Sequence, residues 1–259
     1  MTTLLILEGN SPHLNEAGNI AARAFESLFK WIDPTLDLVT LFPYRVAPTE
    51  VDMAAADGIV FTGSGVAWSV DGEEGLAQVR AMELALRSGK PIWGSCNGMQ
   101  LAAHVLGGTV GISANDHEVP LAKEMQVTEA GATHPMMAGR QSGFSVPCIH
   151  RDIVVKLPPQ AKHLAGNAHT PIQAFAYETD GIDLWATQYH PELSLAEIAG
   201  FVRARGIFAD HAVLAEDLDI AEENAEAAAR LGASPEDLTT EARTTELRNW
   251  VAHVKAQQR

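Results

Sequence analysis

Cysteine is nearly missing from this chain. Cys96 and Cys148 are its only two, too few for a disulfide framework, and a reducing, cytoplasmic compartment is the expectation that follows. Positive charge is short as well: 18 Lys and Arg stand against 33 Asp and Glu, for a formal net charge of −15. A nucleic-acid backbone or an anionic membrane is therefore not expected as the main partner. No stretch approaches the roughly 20 apolar residues of a membrane span. Met1–Glu8 has neither the basic flank nor the long apolar core of a signal peptide. No His-Glu-x-x-His, Cys-x-x-Cys or comparable ligand spacing occurs, and no Gly-Lys-Ser/Thr follows the glycines at 63, 65, 72 and 75. No metal, phosphate loop or cofactor is expected. Internal repeats and low-complexity linkers are missing too.

What is present is an ordinary globular composition, 46% hydrophobic, sufficient for a full core. Apolar runs at 3–8, 36–41, 58–62 and 91–93 alternate with helical patterns. Ala17, Ile20, Ala21, Ala24, Phe25, Leu28 and Phe29 make one apolar face, closed by Asp33-Pro34. Leu76, Val79, Met82 and Leu86 make another, closed by Ser88-Gly89. This alternation predicts an α/β fold: a doubly wound, mostly parallel central sheet with helices on both faces. Beyond Gly107 short β-rich pieces (124–128, 143–146, 153–157, 172–177, 183–188) suggest an antiparallel or mixed extension of that sheet. Ser194 with Glu197 reads as a capping box opening a helical tail. In that tail Ser234-Pro235-Glu236-Asp237 supplies an N-cap, a proline at the first helical position and a second box. Leu247, Trp250, Val251 and Val254 form an apolar stripe on the last helix, expected to pack on the parent domain. The division expected is 1–193 as a catalytic domain and 194–259 as a helical C-terminal extension packed on it.

In such sheets ligands sit beyond the carboxyl ends of the strands, where Glu8-Gly9-Asn10, Gly63-Ser64-Gly65 and Cys96 all fall. The stretch Gly94-Ser95-Cys96-Asn97-Gly98 has the Gly-x-nucleophile-x-Gly spacing of a nucleophile elbow. There a strand turns sharply into a helix, the central residue is strained, and a Cβ on either glycine meets neighbouring backbone. The helix after Cys96 aims free N–H groups and its positive dipole end at the sulfur, which favours the nucleophilic thiolate. A cysteine nucleophile needs a base, and the base an orienting group. His190 ends an apolar strand with Glu192 two residues on, on the same side of an extended segment, and Pro191 stiffens the corner. His13, His104, His117, His134, His163, His169, His211 and His253 lack such a context and read as surface or satisfied histidines. Cys148 lacks flanking glycines, which argues against a Cys148–His150 catalytic pair.

Gly94-Ser95-Cys96-Asn97-Gly98-Met99-Gln100 together with Gln188-Tyr189-His190-Pro191-Glu192 resembles the class I, triad-type glutamine amidotransferase family. Thr62-Gly63-Ser64-Gly65 with Ser69-Val70-Asp71, then Gly107-Gly108, Cys148-Ile149-His150-Arg151-Asp152, Leu157-Pro158, Ala165-Gly166-Asn167 and Ile172-Gln173-Ala174 extend the likeness over about residues 40–193. The order is most similar to the amidotransferase domain of GMP synthetase. The resemblance implies a flavodoxin-like amidotransferase fold with Cys96 as nucleophile, His190 as base then acid, and Glu192 as its orienting group. It also implies an oxyanion hole from Asn97 and the Gly63–Gly65 loop, each donor typically worth about 3–4 kcal/mol. Gln100 falls near the glutamyl portion of the substrate, and His150 and Asp152 line the pocket or support it. Ser95, Asn97 and the Gly-Ser-Gly loop depart from the family's usual residues.

The activity so implied is cysteine-dependent hydrolysis of a small γ-glutamyl amide, glutamine or a γ-glutamyl amine or peptide, through a γ-glutamyl thioester. Two alternatives stay open: a glutaminase subunit that hands ammonia to a separate synthase, and a non-catalytic binding member of the fold. A homodimer through the tail is compatible with the same pattern.

Overall fold

The computed structural model describes residues 1–204 and 213–258, which leaves His211 outside the described residues. The strands are β1 (Thr3–Leu7), β2 (Asp37–Leu41), β3 (Gly58–Phe61), β4 (Pro91–Ser95), β5 (Thr109–Ile112), β6 (Leu121–Val127), β7 (Phe144–Pro147), β8 (Asp152–Lys156), β9 (Lys162–Gly166), β10 (Ala174–Tyr177) and β11 (Asp183–Thr187). Helices α1 (Pro12–Glu16), α2 (Ala22–Ile32), α3 (Glu50–Ala55), α4 (Leu76–Arg87), α5 (Asn97–Val105) and α6 (Glu129–Thr133) alternate with them. After the last strand come α7 (Leu195–Ala204), α8 (Leu214–Ile220), α9 (Ala225–Leu231), α10 (Pro235–Leu238), α11 (Thr240–Arg243) and α12 (Thr245–Gln257). The main sheet has nine strands in the order β2-β1-β3-β4-β11-β10-β9-β6-β7. From β2 to β11 the pairing is parallel, and from β11 to β7 antiparallel. The expected α/β class and antiparallel extension are both present. One β-rich piece goes elsewhere: β8 pairs with β5 in a separate two-stranded ribbon.

Because both faces of the parallel half are covered, its strands read as unbroken apolar runs, with alternate residues entering different cores. Leu4, Ile6, Val60 and Trp93 share one cluster with Phe25 and Phe29 of α2 and with Leu247, Trp250, Val251 and Val254 of α12. Leu5, Leu7, Ile59, Phe61 and Ile92 share the other with residues of α3, α4 and α5. On α4 the buried face is Gln78, Ala81, Met82 and Ala85 rather than the expected stripe, and Leu76 is 48% exposed. Small alanines let this helix lie close to α5, while Val79 and Leu86 pack at the margin.

The expected helix from Ala17 to Phe29 starts late, because α1 ends at Glu16 and residues 17–21 form no helix. Asn19 and Ile20 lie outside either helix, and α2 begins at Ala22. Its entry is set by the buried Glu8, whose carboxylate accepts from the N–H of Ala22 (2.7 Å) and of Asn10 (2.9 Å). The tail is segmented likewise. Ser234 caps only the single turn of α10, Thr239 caps α11, and the apolar stripe belongs to the separate α12. At the start of that tail the Ser194–Glu197 box forms as expected, with both reciprocal bonds in place.

Candidate active site

Parallel pairing of β1, β3, β4 and β11 brings four loop ends to one rim of the sheet. Residue Cys96 sits there between β4 and α5 with φ +49° and ψ −102°, a conformation costly for any side-chain-bearing residue. The turn holds because the flanking glycines permit very close packing. A Cβ on Gly94 would lie 2.9 Å from the Gly98 carbonyl, and one on Gly98 only 2.4 Å from the Phe61 carbonyl oxygen. The Cys96 N–H donates to the Thr187 carbonyl (2.7 Å), which ties the turn to the end of β11.

Three residues beyond Thr187, His190 arrives beside the sulfur. A Cβ on Gly63 would meet His190 Cε1 at 2.8 Å and Cys96 Cβ at 3.6 Å, so Gly63 covers the gap between the two side chains. His190 Nδ1 lies 2.7 Å from Glu192 Oε1, and both residues are buried. The ring's other nitrogen, Nε2, is buried and, among the described residues, has no protein hydrogen bond of ordinary length. Burial disfavours an imidazolium here, but the charges of Glu192 and Cys96 outweigh it and hold His190 well above the usual histidine range. The structure thus brings Cys96, His190 and Glu192 into one group from positions almost a hundred residues apart.

Two neighbours of this group carry contacts that sequence reasoning missed. Ser95 Oγ lies 2.9 and 3.0 Å from the two Glu192 oxygens, a fork that fixes the carboxylate from behind. Gln188 Nε2 donates to Cys96 Sγ at 3.4 Å. Its orientation is set by Gln100, whose Nε2 donates to the Asp152 carbonyl (2.6 Å) and to Gln188 Oε1 (3.2 Å). No motif could have marked these pairs, since Ser95 and Glu192 are 97 positions apart.

Beside Cys96 opens a cleft of about 300 Å³ whose lining includes Gly65, Trp68, Asn97, Gln100, His150, Arg151 and Asp152. Asn97 is the first residue of α5, where a backbone N–H has no intrahelical acceptor. Gly65 lines the same cleft, but its N–H is engaged by Asn10 Oδ1 at 2.7 Å. Asp152 is paired with Arg151 (2.7 Å) at the cleft wall. A larger groove of about 890 Å³ opens at the other end of β4, among Asp57, Lys90, Asp180 and Asp183, remote from either cysteine.

His150 faces two ways. It lines the cleft, and its Nε2 is 3.1 Å from Glu118 Oε2 in a buried network that also takes in Gln173, Asn167 and His169. Burial pushes its imidazole down against the pull of Glu118. Glu118, Cys148 and His150 place one ligand atom each within 4.8 Å of one another, a grouping hidden in the sequence by the 32 positions between the acid and the histidine. Its chemistry suits neither metal nor nucleophile. The Glu118 oxygens already accept from Asn167 (2.6 Å) and Gln173 (2.7 Å). Cys148 is fully buried, and burial together with the charges of Glu118 and Cys96 drives its thiol far up, which keeps it protonated and unreactive. Elsewhere carboxylates reach histidines from distant parts of the chain, as in His134–Glu178 (3.2 Å) and His253–Asp183 (2.6 Å).

The family model for glutamine amidotransferase class-I matches residues 37–204. A gamma-glutamyl-L-1-hydroxyisopropylamide hydrolase from Pseudomonas sp is 33% identical over a 275-residue alignment covering 97% of this chain and 92% of that protein. A glutamine-hydrolyzing GMP synthase from Thermomicrobium roseum is 35% identical, over 48% of this chain and only 22% of its own length. Among solved structures, a glutamine amidotransferase from Thermotoga maritima superposes with a TM-score of 0.66 at 17% identity, covering 98% of this chain and 97% of that one.

Proposed function

The chain belongs to the class-I glutamine amidotransferase family, and from that premise we propose that it is a hydrolase of γ-glutamyl amides working through a γ-glutamyl thioester on Cys96. The observation that carries this reading is the convergence of Cys96, His190 and Glu192 under Gly63, with Nδ1 of His190 held by Glu192 and Nε2 buried. The turn at Cys96 acts as a nucleophile elbow that presents the sulfur. Its thiolate adds to the γ-carbonyl carbon, and the oxygen gathers negative charge facing the Asn97 N–H and the Gly63 loop. As the tetrahedral adduct collapses, the C–N bond breaks and His190 gives its Nε2 proton to the departing nitrogen. The free amine and a γ-glutamyl thioester result. Water then attacks the thioester, losing a proton to His190, and release of glutamate restores the thiolate–imidazolium pair. Glu192, held by Ser95, keeps the ring oriented and stabilises its charge throughout.

The near end-to-end match to a γ-glutamyl amide hydrolase favours a hydrolase acting by itself over a subunit that feeds a synthase. Two free cysteines, one of them a nucleophile, suit a reducing cytoplasmic setting. The test is amine release from a panel of γ-glutamyl amides by the purified protein alone. Cys96→Ala is expected to lower kcat by roughly 10³-fold or more with its circular-dichroism spectrum intact, and to abolish the mass gain of an acyl-enzyme. Cys148→Ala is expected to keep both. Turnover that survives Cys96→Ala, or that follows Cys148 instead, removes the assignment.

A further inference from the structure

Behind the Gly63–Gly65 loop lies a second, smaller cavity of about 80 Å³. His190 and Glu192 form part of its wall, and it shares Ser64, Gly65 and Ile149 with the Cys96 cleft. The remaining lining is mostly apolar: Ala21 at the entry of α2, Leu193 just after the His-Pro-Glu turn, and Phe201 on α7. Its one further polar residue, Asn10, already spends its amide on the Gly65 N–H, the Ser64 hydroxyl and the Asn19 carbonyl. Asn10 is therefore a strut for the loop, and the cavity offers a guest little but apolar contact.

We infer that this cavity receives the substituent on the leaving nitrogen, and that the preferred substrates are γ-glutamyl amides of short, branched aliphatic amines rather than glutamine. The inference rests on the hydrolase reading above and follows from the direction of the chemistry. With the acyl carbon on Cys96 Sγ and the glutamyl chain in the cleft, the leaving nitrogen must face His190 to take its proton. Anything attached to that nitrogen then projects past the imidazole, into the space bounded by Ala21, Ile149, Leu193 and Phe201. Ammonia as leaving group has nothing to place there. At roughly 30 Å³ for each water-sized group, the space holds about three non-hydrogen atoms, the size of an isopropyl group. A buried methylene is worth about fourfold, so three carbons are worth roughly 60-fold in kcat/KM.

The experiment compares kcat/KM for glutamine, γ-glutamylmethylamide, γ-glutamylisopropylamide and γ-glutamylbenzylamide with the purified wild-type protein. Glutamate production is the common readout. The expected profile rises to the isopropylamide, by about 60-fold over glutamine, and falls again for the benzylamide. Phe201→Ala is expected to move the optimum toward the benzylamide. Ala21→Leu, which fills the space, is expected to lower the isopropylamide-to-glutamine ratio at least tenfold. The wild-type profile decides the matter even if a variant fails to fold. Glutamine turned over as well as the isopropylamide, or a size profile that both folded variants leave unchanged, overturns the cavity assignment while leaving the hydrolase reading in place. Release of glutamate from none of the four, or release that survives Cys96→Ala, overturns the hydrolase reading itself and the inference with it.

Discussion

In the proposed mechanism the chemistry turns on His190, whose protonation follows from its burial and two neighbours. Burial works against the imidazolium, Glu192 and the Cys96 sulfur work for it, and the balance lies above the ordinary histidine value. A proton held in this way is available to the leaving amine at neutral pH and is lost only on the alkaline side. The high-pH limb of kcat/KM is therefore expected above neutrality. Glu192→Gln removes the largest charge that favours the imidazolium while leaving the burial, so the limb should move down by at least one pH unit as kcat falls. A pH–rate profile measures this, and a limb that stays put in Glu192→Gln contradicts the account. By linkage, the same raised value contributes stability that is full below about pH 6.5 and lost as pH climbs through the folded-state value. The principal members of this group were legible from short motifs, because a strained turn and an i, i+2 pair leave local signatures. Ser95 and Gln188 were not, since their partners Glu192 and Cys96 lie on other strands and no local rule connects them.

Between elements, the least legible features were those in which one segment completes another. Ala17 to Phe29 carries a helical period, yet the helix starts at Ala22, because Glu8 reaches across from the end of β1 to cap it. The same logic ties α11 to the site. Arg243 is buried, and its Nη1 donates to the carbonyls of Pro191 (2.9 Å) and Leu193 (3.1 Å), which flank Glu192 in the chain. Burial draws its guanidinium down from the usual arginine value, so the contact exacts a desolvation cost for a fixed turn. Net hydrogen bonds to a charged group are worth about 1.5–3 kcal/mol each, partly offset by relief of that desolvation in a methionine variant. Arg243→Met is thus expected to destabilise the fold by about 2–3 kcal/mol in urea titration. Because the turn carries Glu192, kcat should fall with KM nearly unchanged. A purely structural role would leave kcat of the folded fraction at its wild-type value.

At the scale of the whole molecule, the catalytic sheet and the C-terminal extension share a core. Trp250 sits against Trp93 of β4 and Phe29 of α2, with ring centroids 6.3 and 6.1 Å away. The approach is so close that a Cβ on Gly58, at the start of β3, would lie 2.9 Å from Val254 and 3.0 Å from Trp250. Beside them Glu246 is fully buried, ion-paired with Arg140 at 2.6 Å and accepting the Tyr189 hydroxyl at 2.9 Å, one residue before His190. The stripe Leu247, Trp250, Val251 and Val254 was legible as something buried, but its period could not say against what. Each such side chain contributes about 1.5–3 kcal/mol, so the four together contribute roughly 6–12 kcal/mol, about the whole net stability of an ordinary domain. Removing them also strands Arg140 as an unpaired buried charge, itself a loss of about 3–5 kcal/mol. A chain ended at Thr239 should therefore show no cooperative thermal transition and no amide hydrolysis, although Cys96, His190 and Glu192 all remain. If that truncated chain melts cooperatively near the full-length midpoint, the extension is an attachment to a self-sufficient catalytic sheet, and the packing of α12 against β3 and β4 carries far less of the fold than its burial implies.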